Sequence, residues 1–208
     1  MEIVQMPLGP LGTNCYIVSN DEKECLIVDP GGDSRQLTDY LTERHLKPVA
    51  IVLTHAHFDH IGAVDDVRDQ FNIPVYVHKE EADWLSDPQL NGSAFFQMGS
   101  VAARRAERMI DTGERKVGSF WFEVRHTPGH SPGSVSLVFL EEGFVIAGDA
   151  LFQRGIGRTD LPGGDMNTLL NSIKKQLFTL PEDLKVYPGH GPSTTIGEEK
   201  RENPFAGM

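Results

Sequence analysis

The chain has only two cysteines in 208 residues, Cys15 and Cys25, too few for a disulfide framework. Both lie in apolar runs, Cys15-Tyr-Ile-Val and Cys25-Leu-Ile-Val, and are expected to be reduced core residues. No stretch of about 18 apolar residues occurs, which argues against a transmembrane helix and against a membrane partner. The opening Met1-Glu-Ile-Val-Gln-Met-Pro lacks the basic-then-apolar pattern of a secretory leader, so a cytoplasmic location is expected. Positive charge is scarce: 19 Lys and Arg stand against 30 Asp and Glu, a net charge of −11. Such a surface repels phosphate backbones, and nucleic acid is not an expected partner. The one basic cluster, Arg104, Arg105 and Arg108, is interleaved with Glu107 and Asp111 and reads as a solvated helix face.

What remains is the composition of an ordinary globular protein, 39% hydrophobic and 24% charged, at a length that suits one domain over residues 1–208. Short strands are expected at 2–6, 14–19 and 24–29, the last closed by Asp29-Pro-Gly-Gly. From Ser34 the spacing of Leu37, Tyr40 and Leu41 turns helical. The apolar run 49–54 reads as a strand buried on both faces, followed by a helix over 62–71 and a strand over 72–78. Residues 79–116 read as helical. Three strands follow at 120–126, 134–140 and 143–148, the last two as a hairpin about Glu141-Glu-Gly. A helix over 167–178, a strand over 184–187 and a polar tail complete the chain. Two β-rich halves with interspersed helices predict an α/β sandwich, two sheets packed together with helices outside.

The strongest signal is Thr54-His55-Ala56-His57-Phe58-Asp59-His60. Imidazole and carboxylate are ligands that zinc, iron and manganese all accept. Residues two apart in extended backbone point the same way, so His55 and His57 can share one ion. Asp59 and His60 can serve a second ion nearby, where the next helix begins. More ligands are available at strand ends: His130 in Thr127-Pro-Gly-His-Ser-Pro-Gly, Asp149 after Phe144-Val-Ile-Ala-Gly, and His190 in Tyr187-Pro-Gly-His-Gly-Pro. Each has a glycine beside it, which allows close backbone approach. His45, His78 and His126 are expected to be structural or surface residues.

The segments His55-x-His-x-Asp-His, Gly129-His130, Gly148-Asp149 and Pro188-Gly-His190-Gly, with Asp29 ending an early strand, resemble the metallo-β-lactamase-fold hydrolases over nearly the whole chain. The resemblance implies an αβ/βα four-layer sandwich with a dinuclear centre. It implies that His55, His57 and His130 hold one ion, that Asp59, His60 and His190 hold the other, and that Asp149 and a hydroxide bridge them. An aspartate rather than a cysteine at position 149 is similar to the glyoxalase II branch. So is the continuation to Phe152 and through Gly155-Ile-Gly-Arg158-Thr-Asp160. A short bacterial glyoxalase II-like group is the nearest likeness, by Gly163-Gly-Asp165 and Asn203-Pro-Phe. Arg158 falls where a basic residue would help hold the thiol moiety. Full-length glyoxalase II carries a C-terminal helical domain that holds glutathione; only 18 residues follow His190 here, and Leu137 stands where the family has a tyrosine.

The implied activity is hydrolysis of a small-molecule thioester such as S-lactoylglutathione. The bridging hydroxide would be the nucleophile, with two divalent ions, zinc before iron or manganese, as cofactors. Metal binding lowers a water pKa from 15.7 to about 7. A thiolate of parent pKa about 8.5 leaves without a protein acid, and Asp59 is the one side chain in reach of acid–base work. The rival on the same fold is an iron-dependent persulfide dioxygenase, which would use one ion on His55 or His57, His130 and Asp149 and shares the Gly157-Arg-Thr-Asp160 segment. A non-catalytic binding protein is the third reading, set against the full complement of seven ligands.

Overall fold

β-branched and aromatic residues fill the early apolar runs, and these form strands because such side chains pack on a pleated surface. They are β1 (Glu2–Leu8), β2 (Thr13–Ser19) and β3 (Glu24–Val28), paired antiparallel in that order. The computed structural model describes residues 1–96 and 99–206. The chain divides into two units, one of residues 1–110 with 116–120 and one of 111–115 with 121–208.

In the first unit the chain leaves β3 through α1 (Ser34–Glu43) and returns as β4 (Lys47–Val52), parallel to β3. A second crossover, α2 (Phe58–Ile61) and α3 (Val64–Phe71), leads to β5 (Val75–Val77), again parallel. The two-residue β6 (Arg108–Met109) completes a six-stranded sheet in simple sequential order. Leu37 and Leu41 of α1 and Val64 and Val67 of α3 are buried with Ile17, Ile27, Ile51 and Leu53 of the sheet. Each such side chain contributes about 1.5–3 kcal/mol by leaving water. Cys15 and Cys25 lie in the same core as free thiols, as expected. Burial pushes the Cys25 thiol up to about 12, and burial together with the nearby Asp29 charge raises Cys15 well above its usual value, so neither is reactive.

The segment 79–116 departs from its helical expectation. It holds three single 3₁₀ turns (Lys79–Glu81, Trp84–Ser86, Ser93–Phe95), an irregular stretch over 101–106, and short strands. The Arg104–Arg108 cluster is therefore no helix face. Its backbone is held by Arg68 of α3, whose buried guanidinium donates to the carbonyls of Arg104 (2.6 Å) and Arg105 (2.9 Å) and to Glu107 (2.8 Å) and Asp65 (2.5 Å). Glu107 in turn accepts the Val75 amide at 2.8 Å. Carbonyls satisfied by a distant side chain have no need of helical partners. Arg68→Met is expected to cost about 3 kcal/mol, the low end for a broken buried ion pair because its partners are 35% and 47% exposed. A melting experiment checks this: the midpoint should fall by roughly 6–12 °C.

The second unit is built on another six-stranded sheet, of order β14-β13-β10-β9-β8-β7. Its strands are β7 (Gly113–Val117), β8 (Phe120–His126), β9 (Val135–Phe139), β10 (Phe144–Gly148), β13 (Lys185–Pro188) and β14 (Thr194–Thr195). The expected β9–β10 hairpin is present, with Phe139 opposite Phe144. Between β10 and β13 come the small hairpin β11 (Leu151–Phe152) with β12 (Gly155–Ile156), and then α4 (Met166–Ser172). A π-helical turn over Ile173–Leu177 continues α4, so the helix expected over 167–178 is present in extent. A final helix, α5 (Ile196–Glu202), occupies what reads as polar tail. Leu169, Ile173, Leu177 and Ile196 pack with Val145 and Val186 beneath them. Among the described residues no helix is long and apolar enough to cross a membrane.

Candidate metal centre

The first unit places its polar cluster by strand register. Val28 pairs with Val52 on parallel strands, so Asp29 and Thr54-His55 emerge side by side from one end of the sheet. Asp29 takes a left-handed conformation (φ 52°) and is buried. Its Oδ1 accepts the Thr54 amide (2.8 Å), and its Oδ2 accepts the Thr54 hydroxyl (2.6 Å). Oδ2 also lies 2.9 Å from Nδ1 of His60. A carboxylate only accepts, so the His60 ring carries its proton on Nδ1 and keeps the Nε2 lone pair for a ligand role. His55 follows the same logic. Its Nδ1 lies 3.1 Å from the Thr54 hydroxyl, whose proton is already given to Asp29, so the ring donates here and Nε2 is again the basic nitrogen. Asp29, His55 and His60 have ligand-type atoms within 4.8 Å of one another. The oxygens of Asp29 are engaged by these donors, however, and its part is to hold Thr54 and the His60 ring in place.

The remaining members lie close by. His57 has extended backbone at the start of α2, and its ring stands edge-on to His55 with centroids 4.8 Å apart. That is the same-side projection expected from two-residue spacing in extended chain. Asp59 and His60 occupy the first turn of α2. Asp59 Oδ2 accepts the Thr13 hydroxyl (2.8 Å) and stands 3.6 Å from His60 Nε2. The Asp29-Pro-Gly-Gly turn presses directly on α2: a Cβ at Gly31 would sit 2.0 Å from the Asp59 carbonyl oxygen, so only glycine fits.

In the second unit Gly148 of β10 pairs with Pro188 of β13, also parallel, and the Gly189 amide donates to the Gly148 carbonyl at 2.7 Å. Asp149 and His190 thus leave the same sheet end together. β8 pairs antiparallel with β9 and β9 with β10, so β8 runs with β10 and delivers His130 to that end as well. Asp149 Oδ2 lies 3.5 Å from His130 Nε2 and 3.6 Å from His190 Nε2. His130 Nδ1 donates to the Arg158 carbonyl at 2.7 Å, fixing this ring in the same tautomer as His55 and His60. A Cβ at Gly157 would lie 1.9 Å from the Asp149 carbonyl oxygen and 3.0 Å from His130 Nδ1. The Arg158 guanidinium is paired with Asp160 through two 2.7 Å bonds, which hold the Asp160 carboxyl down at about 2.

The donor set fits divalent ions. Two atoms bound to one tetrahedral zinc, each about 2.0–2.2 Å from it, stand about 3.4 Å apart. The imidazole–carboxylate separations of 3.5–3.6 Å in both units are near that value and too long for good hydrogen bonds. Every ring with a named second partner offers Nε2, as a metal ligand should.

Two contributors were not read from the sequence. Thr13 fixes Asp59, and Glu81, wholly buried, accepts the Ala56 amide between His55 and His57 at 2.5 Å. Glu81 lies four residues beyond β5, the same strand-end placement that marks the other site residues. A buried side chain that accepts this amide anchors the loop that carries His55 and His57.

Residues 8–190 match the model of the metallo-beta-lactamase superfamily. The probable metallo-hydrolase YqgX of Bacillus subtilis is 50% identical over 202 residues, 97% of this chain and 95% of that protein. Hydroxyacylglutathione hydrolase GloC of Haemophilus influenzae is 37% identical over 99% of this chain and 98% of its own. Among solved structures, BLEG-1 B3 metallo-beta-lactamase superposes with a TM-score of 0.97 at 51% identity, covering 100% of both chains. TTHA1623 in a di-iron-bound form gives 0.86 at 39% identity, covering 97% of this chain and 99% of that one. The chain therefore belongs to the metallo-beta-lactamase superfamily, as a short metallo-hydrolase of that fold.

Proposed function

We propose that this protein hydrolyses a small thioester, with S-lactoylglutathione the substrate to test first, at a dinuclear site. His55, His57, Asp59, His60, His130, Asp149 and His190 would be its ligands. The observation that carries the proposal is the Asp149 carboxylate, one oxygen facing two imidazole nitrogens at 3.5 and 3.6 Å. A carboxylate so placed can serve two ions at once. The likeness to a hydroxyacylglutathione hydrolase over nearly the whole chain supports the thioester class.

Bound divalent ions would supply Lewis acidity and hydroxide at neutral pH. Zinc is the first candidate, and the di-iron form of TTHA1623 supports iron beside it. The protein's own groups do the rest. Asp29 and the Arg158 carbonyl hold the His60 and His130 rings with Nε2 directed to the ligand role. Asp59, steadied through Oδ2 by Thr13, would be the side chain placed for proton transfer beside the reacting centre. The leaving thiolate needs no protonation by the protein.

A second reading, opening of a β-lactam ring, is favoured by the likeness to BLEG-1. The protein reconstituted separately with zinc, iron and manganese should therefore be assayed on S-lactoylglutathione and on a chromogenic cephalosporin, with oxygen uptake followed in the presence of a persulfide. Metal-dependent thioester cleavage at a kcat/KM at least 10-fold above that for the cephalosporin is the expected result. Cephalosporin turnover alone would overturn it in favour of the lactamase, and iron-dependent oxygen uptake alone in favour of the dioxygenase.

A further inference from the structure

The second unit contains a buried carboxylate outside the ligand set. Glu199 of α5 is 1% exposed. Its Oε1 accepts the Thr194 hydroxyl at 2.7 Å, and its Oε2 accepts the Arg154 amide at 2.8 Å and the Asn203 side-chain amide at 2.7 Å. Asn203, also buried, donates to the Gly155 carbonyl at 3.0 Å too. Arg154 sits at the turn of the β11–β12 hairpin in a left-handed conformation (φ 56°), and its guanidinium pairs with Glu202. The tip of this hairpin is thus held through one backbone amide and one backbone carbonyl, both by residues of the C-terminal segment.

The same hairpin and the two residues that follow it reach every candidate ligand of its unit. Asp149 stands two residues before it. The Phe152 ring meets the His190 ring edge-on, with centroids 6.1 Å apart. Gly157, just after it, lies against Asp149 and His130, and the next carbonyl, that of Arg158, takes the His130 Nδ1 proton. A two-stranded hairpin this short has little stability of its own. What fixes it at the tip fixes the ligands at its base.

We infer that Glu199 and Asn203 are positioning residues for the metal ligands of the second unit, acting through the β11–β12 hairpin and the Gly157-Arg158 segment that follows it. The inference rests on the proposed ligand roles of His130 and Asp149. It explains why a carboxylate is buried at 199. Three donors converge on it, and a glutamine there would turn a donor of its own toward at least one of them. A purely structural role for α5 makes a different prediction, since Ile196 on the same helix packs in the apolar core, and its side chain makes no hydrogen bond to any of these groups.

The test uses the full chain and Zn²⁺ as probe. Zinc affinity is measured by competition with a chromophoric chelator for the unsubstituted protein, Glu199→Gln, Asn203→Ala, Ile196→Val and His130→Ala. Visible spectra of the Co²⁺-substituted forms and exchange of the Arg154 amide are recorded alongside. Outer partners of metal ligands are worth about 10–100-fold in affinity, and Glu199→Gln and Asn203→Ala are expected near 10-fold, with an altered cobalt spectrum and faster Arg154 exchange. Ile196→Val should lower the melting midpoint but leave zinc affinity within about twofold, since it keeps every hydrogen bond from Glu199 and Asn203 to the hairpin. Should Glu199→Gln not fold, Asn203→Ala, which leaves the carboxylate two of its donors, carries the test. Unchanged affinity and spectrum in these variants, with affinity lost in His130→Ala, overturns the inference alone. Unchanged affinity in His130→Ala overturns the ligand assignment beneath it.

Discussion

Asp149→Ala is expected to lower kcat/KM for S-lactoylglutathione by about 10³-fold or more while the chain still melts cooperatively. Loss of a single preorganised electrostatic contact in an active site costs about 10²–10³. Here the carboxylate faces two imidazoles at once, at 3.5 and 3.6 Å, and its removal takes from both a shared anion. The fold should survive because Asp149 sits beyond the last residue of β10, between the buried Ala147 and Ala150 that belong to the core. The informative companion is Asp149→Asn, which keeps shape and discards charge. Equal losses in the two variants would make charge the working property. Metal content, thermal melting and kcat/KM on the same samples separate the effects. Retained turnover in the alanine variant would remove Asp149 from the site.

Asp29→Ala should act on stability as much as on activity. Its two oxygens serve the Thr54 amide, the Thr54 hydroxyl and the His60 ring, all buried. Each donor left without its acceptor costs about 1–3 kcal/mol, and the three share one neighbourhood, so a total near 4 kcal/mol is expected rather than a simple sum. Two further losses follow. With no acceptor at Nδ1 the His60 ring can adopt the other tautomer, and with the Thr54 hydroxyl freed, His55 loses its fixed partner as well. Zinc affinity should fall by about 10–100-fold. Urea denaturation of metal-free protein measures the first effect and chelator competition the second. A stability change under about 1 kcal/mol would show that Asp29 is not the keystone of this network, since one abandoned buried donor already costs that much.

The candidate ligands are legible in the sequence because their chemistry is carried by residue type and their placement by strand ends. His55-x-His is readable from backbone alternation alone, and the ring separation agrees with it. The strands were readable for the same reason, since β2, β3, β9 and β10 are buried along nearly their whole length. The segment 79–116 was not, because Arg68 decides its path. A guanidinium on α3 satisfies carbonyls at 104 and 105, and no local pattern announces that. Glu81 escaped for a related reason: in sequence it stands in an unremarkable Lys79-Glu-Glu, and only the folded chain brings it to the Ala56 amide. The helix α5 is a different failure. Thr195-Ile-Gly-Glu198 is a capping-box pattern, and Thr195 does cap the Glu198 amide at 3.2 Å. The signal was present, but polar composition outweighed it. Arg158 shows a third kind of gap: its guanidinium is the part the sequence singles out, whereas its main-chain carbonyl is what touches His130.

The parallel pairings that deliver the candidate ligands also determine where the chain tolerates change in length. Asp29 and His55 are set by the register of β3 on β4, and Asp149 and His190 by that of β10 on β13. The crossovers between them, through α1 and through α4, contribute no ligand. A residue gained or lost in a surface turn beside α1 or α4, away from the β11–β12 hairpin, alters a connection and leaves both strand ends where they were. One gained inside β10 or β4 would turn the following side chain to the opposite face of its sheet and remove it from the site. Members of such a fold can therefore diverge widely in the helices that cross over, and so in what surrounds the reaction, without disturbing the atoms that perform it.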